Sequence, residues 1–396
     1  MPRSLYLHHM DPVKFVSSDF GQLRQAEDDR FRWFDPAPLP RSTVLDNQTL
    51  LALSRADEAL GRLAGVGRML RNPRLLMRPY AMKEALASAR IEGTQAELQE
   101  VFEAEARPNR QPRYAEVQVV SRYLRALEQG LDLVSAAGRL DFSTVAAVHA
   151  TLLGGEQPLA GNLRDRPVWL GSPTDRPETA EFVPPVGAAM TAALDDWSEY
   201  VASPPDLPPL VRAAIVHYDF LTVHPFLDGN GRAGRLLVLL FLAAEGRLPV
   251  PLLYLSPFFE IRRREYYDRL QAVRERGEIQ SWIQFFLTAV EAQANDGVDR
   301  AERLLDLRER YRAELAGSRN RASEVVELLF ENPVITAALV REALRISNQG
   351  ALNLIRSLQA RSWLAPLRNA GRGGARLWLA VDVYNSIEDD RIVVPV

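Results

Sequence analysis

Residues 224–235, HPFLDGNGRAGR, bring an imidazole, a carboxylate, an amide and two guanidinium groups together in one short stretch. An apolar segment ends at His224, and a second apolar helix is expected to begin near Arg232. Gly229 and Gly231 between them allow the backbone to turn successive N–H groups into one concavity, and the start of the helix adds its partial positive charge there. The pattern therefore predicts a phosphate-binding nest.

The charged side chains of this stretch fit the same chemistry. Arg232 and Arg235, three residues apart, share a helix face and can clamp phosphate oxygens. Asp228 beside an anion nest calls for a cation, and Mg²⁺ held by one carboxylate and nucleotide phosphates is the economical explanation. His224, with an ordinary pKa near ~6.5, is the expected base. No Walker A pattern, GxGxxG run or kinase catalytic loop is present.

Composition limits the class of protein. A chain of 396 residues with 47% hydrophobic residues can bury a full core. The absence of cysteine excludes disulfides, thiolate metal sites and a cysteine nucleophile. A formal net charge of −3 argues against non-specific coating of nucleic acid by the whole chain. The start lacks an apolar signal core, and the longest apolar run, 236–244, is too short for a membrane span, so a soluble, cytoplasmic protein is expected.

Hydrophobic periodicity indicates that most of the chain is helical. Residues 1–45 are expected to be irregular and to lie against a domain. Residues 164–183 read as a surface β-hairpin with short strands around 168–170 and 181–183. His149 and His217, on apolar helical faces, are interpreted as satisfied core residues. From Asp46 onward, the helical stretches are 46–66, 79–92, 115–136, 142–153, 185–200, 209–223, 232–246, 263–275 and 279–315.

The carboxyl-terminal part has a pattern of its own. Helices are predicted near 322–331, 335–344 and 347–360, followed by β-like runs near 365–368 and 377–380 around the linker NAGRGGAR. This is the order of a winged helix, and nine arginines face five acidic residues between 319 and 386. A basic module of this kind suits DNA, whereas a protein-interaction or packing module fits the pattern equally well.

The stretch 224–235 resembles the motif HxFx(D/E)GNGRxxR of the Fic-domain adenylyltransferases at every fixed position. The segment ASARIEGT (87–94) resembles the family's inhibitory helix, (S/T)xxxE(G/N), with Ser88, Glu92 and Gly93 in the required places. Its position before the motif is that of the subclass with an amino-terminal inhibitory helix. The resemblance covers about residues 30–380.

The resemblance implies a reaction and a set of roles. AMP passes from ATP to a Tyr, Thr or Ser hydroxyl of a target protein, and pyrophosphate leaves. His224 is implied as the base and Asp228 as the ligand of Mg²⁺, so ATP and Mg²⁺ are the implied cofactors. Arg274 stands where some relatives carry asparagine, which leaves the adenine contacts open. The implied nucleotide contacts are Gly229, Asn230, Gly231, Arg232, Arg235 and Tyr267.

Regulation is implied through Glu92. Ser88, one turn earlier, can orient the Glu92 carboxylate, and a salt bridge to Arg235 would displace the γ-phosphate and hold ATP in an unproductive pose. Thr94 with Glu97 predicts a capping box for the next helix. Two alternatives stay open: a deAMPylase or bifunctional enzyme that uses Glu92, and a DNA-binding regulator with a nucleotide-sensing core.

The predicted architecture is mainly α: a Fic-type helical core with a β-hairpin flap, plus a carboxyl-terminal winged-helix domain. The target protein is expected at the flap, 164–183, DNA at the winged helix, and no membrane. Apolar residues of the amino-terminal helices fit a homodimer face and a core equally well. The predicted divisions are an amino-terminal helical region (1–110) with the inhibitory helix at about 79–93, the catalytic core (111–292), a connecting helix (293–317) and the winged helix (318–396).

Overall fold

The computed structural model describes residues 10–26, 30–69, 74–107, 115–154, 160–171, 175–203, 206–317, 320–367 and 376–388. Over these residues the chain is mainly helical, as predicted. In the described residues, no helix combines the length and apolar character that crossing a membrane requires.

The helices begin and end close to the predicted positions in most of the chain. The helix before the phosphate motif spans the predicted residues, and the helix after it begins two residues earlier than expected. The helices are α1 (Asn47–Met69), α2 (Arg74–Ile91), α3 (Leu98–Glu105), α4 (Ala115–Ala137), α5 (Phe142–Leu153), α6 (Gly187–Ala202), α7 (Pro209–Val223), α8 (Asn230–Ala244), α9 (Ser256–Ile261), α10 (Arg263–Arg276), α11 (Ile279–Glu314), α12 (Ala322–Glu331), α13 (Ala337–Leu344), α14 (Asn348–Gln359) and α15 (Val381–Glu388). The strands are β1 (Gly21–Gln25), β2 (Arg32–Pro36), β3 (Val334–Thr336), β4 (Ala365–Pro366) and β5 (Leu377–Leu379).

The chain forms two compact units. The first contains 1–58, 125–247 and 261–290, and the second contains 59–124, 248–260 and 291–396. Helices α1, α4, α9 and α11 contribute residues to both. Helix α11 continues without a break across the predicted boundary at 292/293. The sequence-based divisions stay a prediction.

Helix α7 lies at the centre of the first unit. Every residue from Leu210 to Val223 is buried, including the polar residues Arg212, His217 and Asp219, so α7 is a core helix. Two tryptophans bind its main chain: Trp197 Nε1 donates to Val216 O (3.1 Å), and Trp282 Nε1 donates to Ala214 O (2.8 Å). The helix that leads to His224 is therefore held from both sides.

The amino-terminal segment is more ordered than predicted. Strands β1 and β2 pair antiparallel, with Leu23 opposite Phe34, so the expectation of irregular structure is wrong for these residues. The expectation that the segment lies against a domain is confirmed, because Phe34 shares a small core with Phe182 and Val183. Its N–H donates to Val183 O (2.9 Å). Strand pairing here depends on a partner strand that periodicity alone does not reveal.

The predicted flap hairpin is present in reduced form. Leu170 and Phe182 form one antiparallel bridge, with hydrogen bonds of 2.8 and 3.2 Å between their main chains. Residues 172–174 of the predicted tip lie outside the described residues. In the described residues, the flap is thus two short extended runs joined by one bridge.

The second unit contains the predicted winged helix together with α2 and α3. Strand β3 lies between α12 and α13, and β4 and β5 follow α14; the three strands form a sheet of order β3-β5-β4. Strand β3 was not predicted. Residues 368–375 of the wing lie outside the described residues. Asn332 Nδ2 donates to Phe102 O on α3 (3.1 Å). The capping box of α3 is formed by Glu97 and Glu100, not by Thr94 and Glu97, because Glu97 itself takes the N-cap position.

Candidate active site

His224 is the residue that caps the end of α7. It adopts φ 50° and ψ 59°, the left-handed region that non-glycine residues rarely occupy, and its N–H donates to Phe220 O. Ring atom Nδ1 lies 3.3 Å from Leu221 O. Because a carbonyl can only accept, this contact requires the proton on Nδ1 and leaves the ring's lone pair on Nε2. The helix end thus favours the tautomer that a general base needs.

The turn between α7 and α8 is closed by the side chain of Asn230. Its Oδ1 accepts from Phe226 N (3.0 Å) and its Nδ2 donates to Phe226 O (2.8 Å). The residue is only 1% exposed. Both polar atoms of the Asn230 side chain therefore bind the loop. If Asn230 contacts phosphate, it does so through its main-chain N–H at the start of α8.

Gly229 and Asp228 shape the mouth of the turn. Gly229 has φ +77°, and a Cβ there would come within 3.2 Å of His149 Nε2, so both conformation and space require glycine. Gly231, by contrast, lies in the first turn of α8, and only Gly229 of the two adopts a positive φ. The Asp228 side chain is 79% exposed and lies 3.9 Å from Arg232 Nη2. Its Oδ1 accepts from Gly229 N (2.6 Å).

His149 on α5 binds the main chain of the turn. Its Nδ1 accepts from Gly161 N (3.1 Å), so Nε2 carries the proton and donates to Asp228 O (2.7 Å). The ring stacks on Phe226 at 3.7 Å. Burial lowers the pKa of His149, which keeps the ring neutral. The interpretation as a satisfied histidine is correct, but its partner is the loop of the motif, which sequence periodicity could not show.

The two arginines of the motif lie in the first turns of α8. Arg235 is buried, at 3% exposure, and 13% of the Arg232 side chain is exposed. His217 on α7 binds α8 through Nδ1 and Gly234 O (2.8 Å) and binds Tyr266 Oη through Nε2 (2.8 Å). Burial, reinforced by the charge of Arg235, lowers the pKa of His217 to about 3, so His217 is a neutral core residue, as predicted.

Two buried arginines near the site were not predicted as functional. Arg164 is 5% exposed and donates from Nε to His224 O (2.8 Å). Arg274, also 5% exposed, donates from Nε to Thr222 Oγ1 (3.1 Å) and lies 3.9 Å from the ring centre of Phe182 in the flap. Tyr267, the predicted adenine-side residue, is 41% exposed on α10. Arginine is so frequent in this chain that the sequence does not distinguish the buried arginines from the exposed ones.

The predicted inhibitory segment forms the end of α2 in the second unit. Ile91 is the last helical residue, and Glu92 and Gly93 follow in the turn. Gly93 adopts φ +102° and its N–H donates to Arg90 O (2.9 Å), so it closes the helix as predicted. Ser88 is fully buried. Arg235 belongs to the first unit, and its salt bridge with Glu92 stays a prediction.

Comparison with protein families identifies the region that holds the turn. Residues 139–242 match the model described as Fic/DOC family, and residues 50–132 match the model described as Fic/DOC family N-terminal. Residues 139–242 are a Fic domain. This domain contains α5, the flap, α7, the motif at 224–235 and the following part of α8 up to Leu242. Residues 323–378 match a model described as HTH DNA binding domain.

Relatives of the Fic domain have curated names. The chain is 33% identical over 154 residues to protein adenylyltransferase fic-1 of Caenorhabditis briggsae, covering 39% of this chain and 28% of that protein. It is 28% identical over 162 residues to protein adenylyltransferase Fic of Nematostella vectensis, covering 40% of this chain and 34% of that protein. The chain thus spans about a third or less of these relatives.

A solved structure shares the fold. A Fic family protein from Desulfovibrio desulfuricans superposes with a TM-score of 0.56 at 20% identity, covering 86% of this chain and 98% of that one. The likeness therefore extends beyond the Fic domain to most of the helical chain.

Proposed function

We propose that this protein is a protein adenylyltransferase. The α-phosphorus of ATP forms a bond to a Tyr, Thr or Ser oxygen of a target protein, its bond to the bridging oxygen breaks, and pyrophosphate leaves. His224 Nε2 takes the hydroxyl proton. The observation that carries the proposal is the contact of His224 Nδ1 with Leu221 O (3.3 Å), which favours a lone pair on Nε2 at a turn that opens onto the start of α8. The match to the Fic model and the names of the relatives support it.

The rest of the turn supplies charge neutralisation, which phosphoryl-type transfer needs most. The main-chain N–H groups of Asn230 and Gly231 begin α8 and can donate to phosphate, as can that of Gly229 once its bond to Asp228 Oδ1 is released, and Arg232 and Arg235 add two cations. Asp228 offers an exposed hard-oxygen ligand. A single carboxylate suits Mg²⁺, whose remaining ligands are usually phosphate oxygens and water. Held by Asp228, Mg²⁺ would neutralise phosphate charge.

We propose further that Glu92 inhibits this reaction. Glu92 lies directly after α2, where the partial negative charge of the helix end disfavours a carboxylate. A cation partner offsets that cost, and Arg235 of the motif is the partner proposed. Occupation of Arg235 by Glu92 would remove the group that orients the outer phosphate of ATP.

The test is the incorporation of α-labelled ATP, with Mg²⁺, into the protein itself and into a cell extract. Wild type, E92G and E92G/H224A are compared, and Q95G, a change at an exposed residue of the same loop, is the control. Strong labelling by E92G, weak labelling by wild type and Q95G, and none by the double variant are expected. Release of AMP from a previously labelled target by wild type, with no labelling by E92G, would instead establish a deAMPylase.

The target is proposed to dock on one edge of the flap. Both main-chain groups of Val183 are already engaged, since its N–H donates to Met10 Sδ (3.1 Å) and its oxygen accepts from Phe34. Trp169 lies on the opposite edge, where strand addition by an extended segment is possible.

The docking edge is tested with two variants of Trp169. W169P removes the N–H that would bind the segment, whereas W169F keeps it. W169P is expected to raise KM for Tyr, Thr or Ser peptides and to leave KM for ATP unchanged; a peptide KM equal to that of W169F would refute the docking edge.

A second proposed function, DNA binding, is favoured by the match of residues 323–378. Helix α14 exposes Asn348, Gln349, Asn353 and Arg356 on one face, and these residue types read base edges in a major groove. Because Asn332, just after α12, and Tyr384 of α15 both contact Phe102 of α3 within the second unit, the full chain is the right sample.

The DNA test measures binding of the full chain to duplexes selected from a random pool, at rising salt. We expect affinity to fall steeply with salt and R356A to weaken binding. R312A, at an exposed arginine of α11, should bind like wild type. Failure to select any duplex would leave the winged helix as a packing module.

A further inference from the structure

Arg164 binds the main chain on which the proposed base stands. Its Nε donates to His224 O (2.8 Å), its Nη2 donates to Val223 O (3.2 Å), and its own N–H donates to Pro225 O (3.0 Å). One residue thus binds three consecutive carbonyls at the end of α7. A cation there also opposes the partial negative charge that a helix carries at its carboxyl end.

The same guanidinium binds both ends of the flap. Nη1 donates to Arg166 O (3.4 Å) at the start of the flap, and Nη2 donates to Pro185 O directly after it. Arg164 is 5% exposed, and the hydrogen-bond partners named here are all carbonyl oxygens. Burial lowers the pKa of Arg164 to about 10, so the group stays a cation at neutral pH. A planar fork with five donors suits four carbonyl partners in a way that lysine cannot reproduce.

We propose that Arg164 is a positioning residue that holds His224 in its reactive place and fixes the flap to it. His224 needs outside support because a left-handed non-glycine residue is strained and persists only where its surroundings determine it. The bonds of Arg164 to the carbonyls of 223, 224 and 225 supply that support. The bonds to 166 and 185 set the flap, and hence the target hydroxyl, relative to the imidazole. This inference rests on the proposed role of His224 as base.

The test compares R164K with R212K in the E92G background. Arg212 is a matched control, because it is a buried arginine (3% exposed) of the same unit that binds Glu245 (2.8 Å) and no carbonyl of the motif. For R164K we expect kcat for AMP transfer to fall about tenfold to 100-fold, since small displacements of a reacting group cost that much, with the Kd for ATP unchanged. R212K should lose thermal stability to a similar degree and keep kcat.

Two results would overturn the proposal: R164K with an unchanged kcat, or an equal fall of kcat in both variants. A measurement on the unsubstituted chain keeps the test open if R164K does not fold. With ¹⁵N-arginine, the Nε–H of Arg164 should exchange with solvent at least about tenfold more slowly than those of exposed arginines. Exchange as fast as at exposed sites would refute the proposed binding of the motif carbonyls by Arg164. Absence of AMP transfer in E92G itself would refute the proposed function. The exchange measurement would still show whether Arg164 is held by the carbonyls around it.

Discussion

Three histidines of the first unit show how neighbours, rather than residue type, decide a role. His217 binds a carbonyl and a phenol in the core, and burial makes it neutral. His149 is equally satisfied, but one of its partners is the carbonyl of Asp228. His224 has its Nδ1 toward Leu221 O, at a helix end. The contact of His224 favours the tautomer with its lone pair on Nε2, beside the start of α8.

His149 is expected to contribute to the reaction without touching substrate. H149F keeps the stack on Phe226 and removes both hydrogen bonds, so the carbonyl of Asp228 and the turn above it lose a fixed position. We expect kcat for AMP transfer in the E92G background to fall about 100-fold. H149Q places an amide N–H near the position of Nε2 and should recover most of that loss.

The melting temperature of each variant separates this effect from unfolding, since H149F and H149Q both lose the bond from Gly161. Equal kcat values for the two variants would mean that His149 serves only as core.

At the scale of elements, the sequence predicted what local rules govern. Helix α7 and the three helices of the winged domain agree with prediction because apolar spacing and N-caps such as Ser347 act within one turn. Strands β1, β2 and β3 were missed because each is short and depends on a partner distant in sequence. The capping box of α3 was displaced because Glu97 can serve both as cap and as partner of Glu100.

Strand β2 is expected to hold the flap in place. Phe34 is fully buried and lies 5.9 Å from the ring of Phe182. F34A should lower the free energy of unfolding by about 3–5 kcal/mol, the usual range for a buried phenylalanine. It should also speed hydrogen exchange at the amides of Leu170 and Phe182, whose bridge rests on this core.

V13A is the control, because Val13 is 79% exposed in the same segment; a change within about 0.5 kcal/mol is expected. Unchanged exchange at Leu170 in F34A would show that the flap needs no support from β2.

At the scale of the whole molecule, composition and motif predicted a mainly helical chain with a Fic core and a winged helix, and both are present. Long-range contacts could not be predicted. The binding of α3 by Asn332 joins residues 230 positions apart, and Arg164 reaches His224 across 60. Such contacts depend on which helices pack together, and one sequence carries no local signal for that choice.

The pH dependence of the chain's stability should depend strongly on Asp219 in the core of the first unit. Burial, with the nearby charge of Asp196, raises its pKa from 3.8 to about 8, although the charges of Arg274 and Arg41 act in the other direction. Between those two values the folded chain keeps a proton that the unfolded chain releases, so stability falls as pH rises.

D219N removes this pH dependence, because an amide does not titrate. Relative to wild type, D219N should therefore gain stability in urea unfolding between about pH 5 and pH 8, whereas D165N, at an exposed site, should follow wild type. Parallel curves for D219N and wild type would show that Asp219 is ionised in the folded protein.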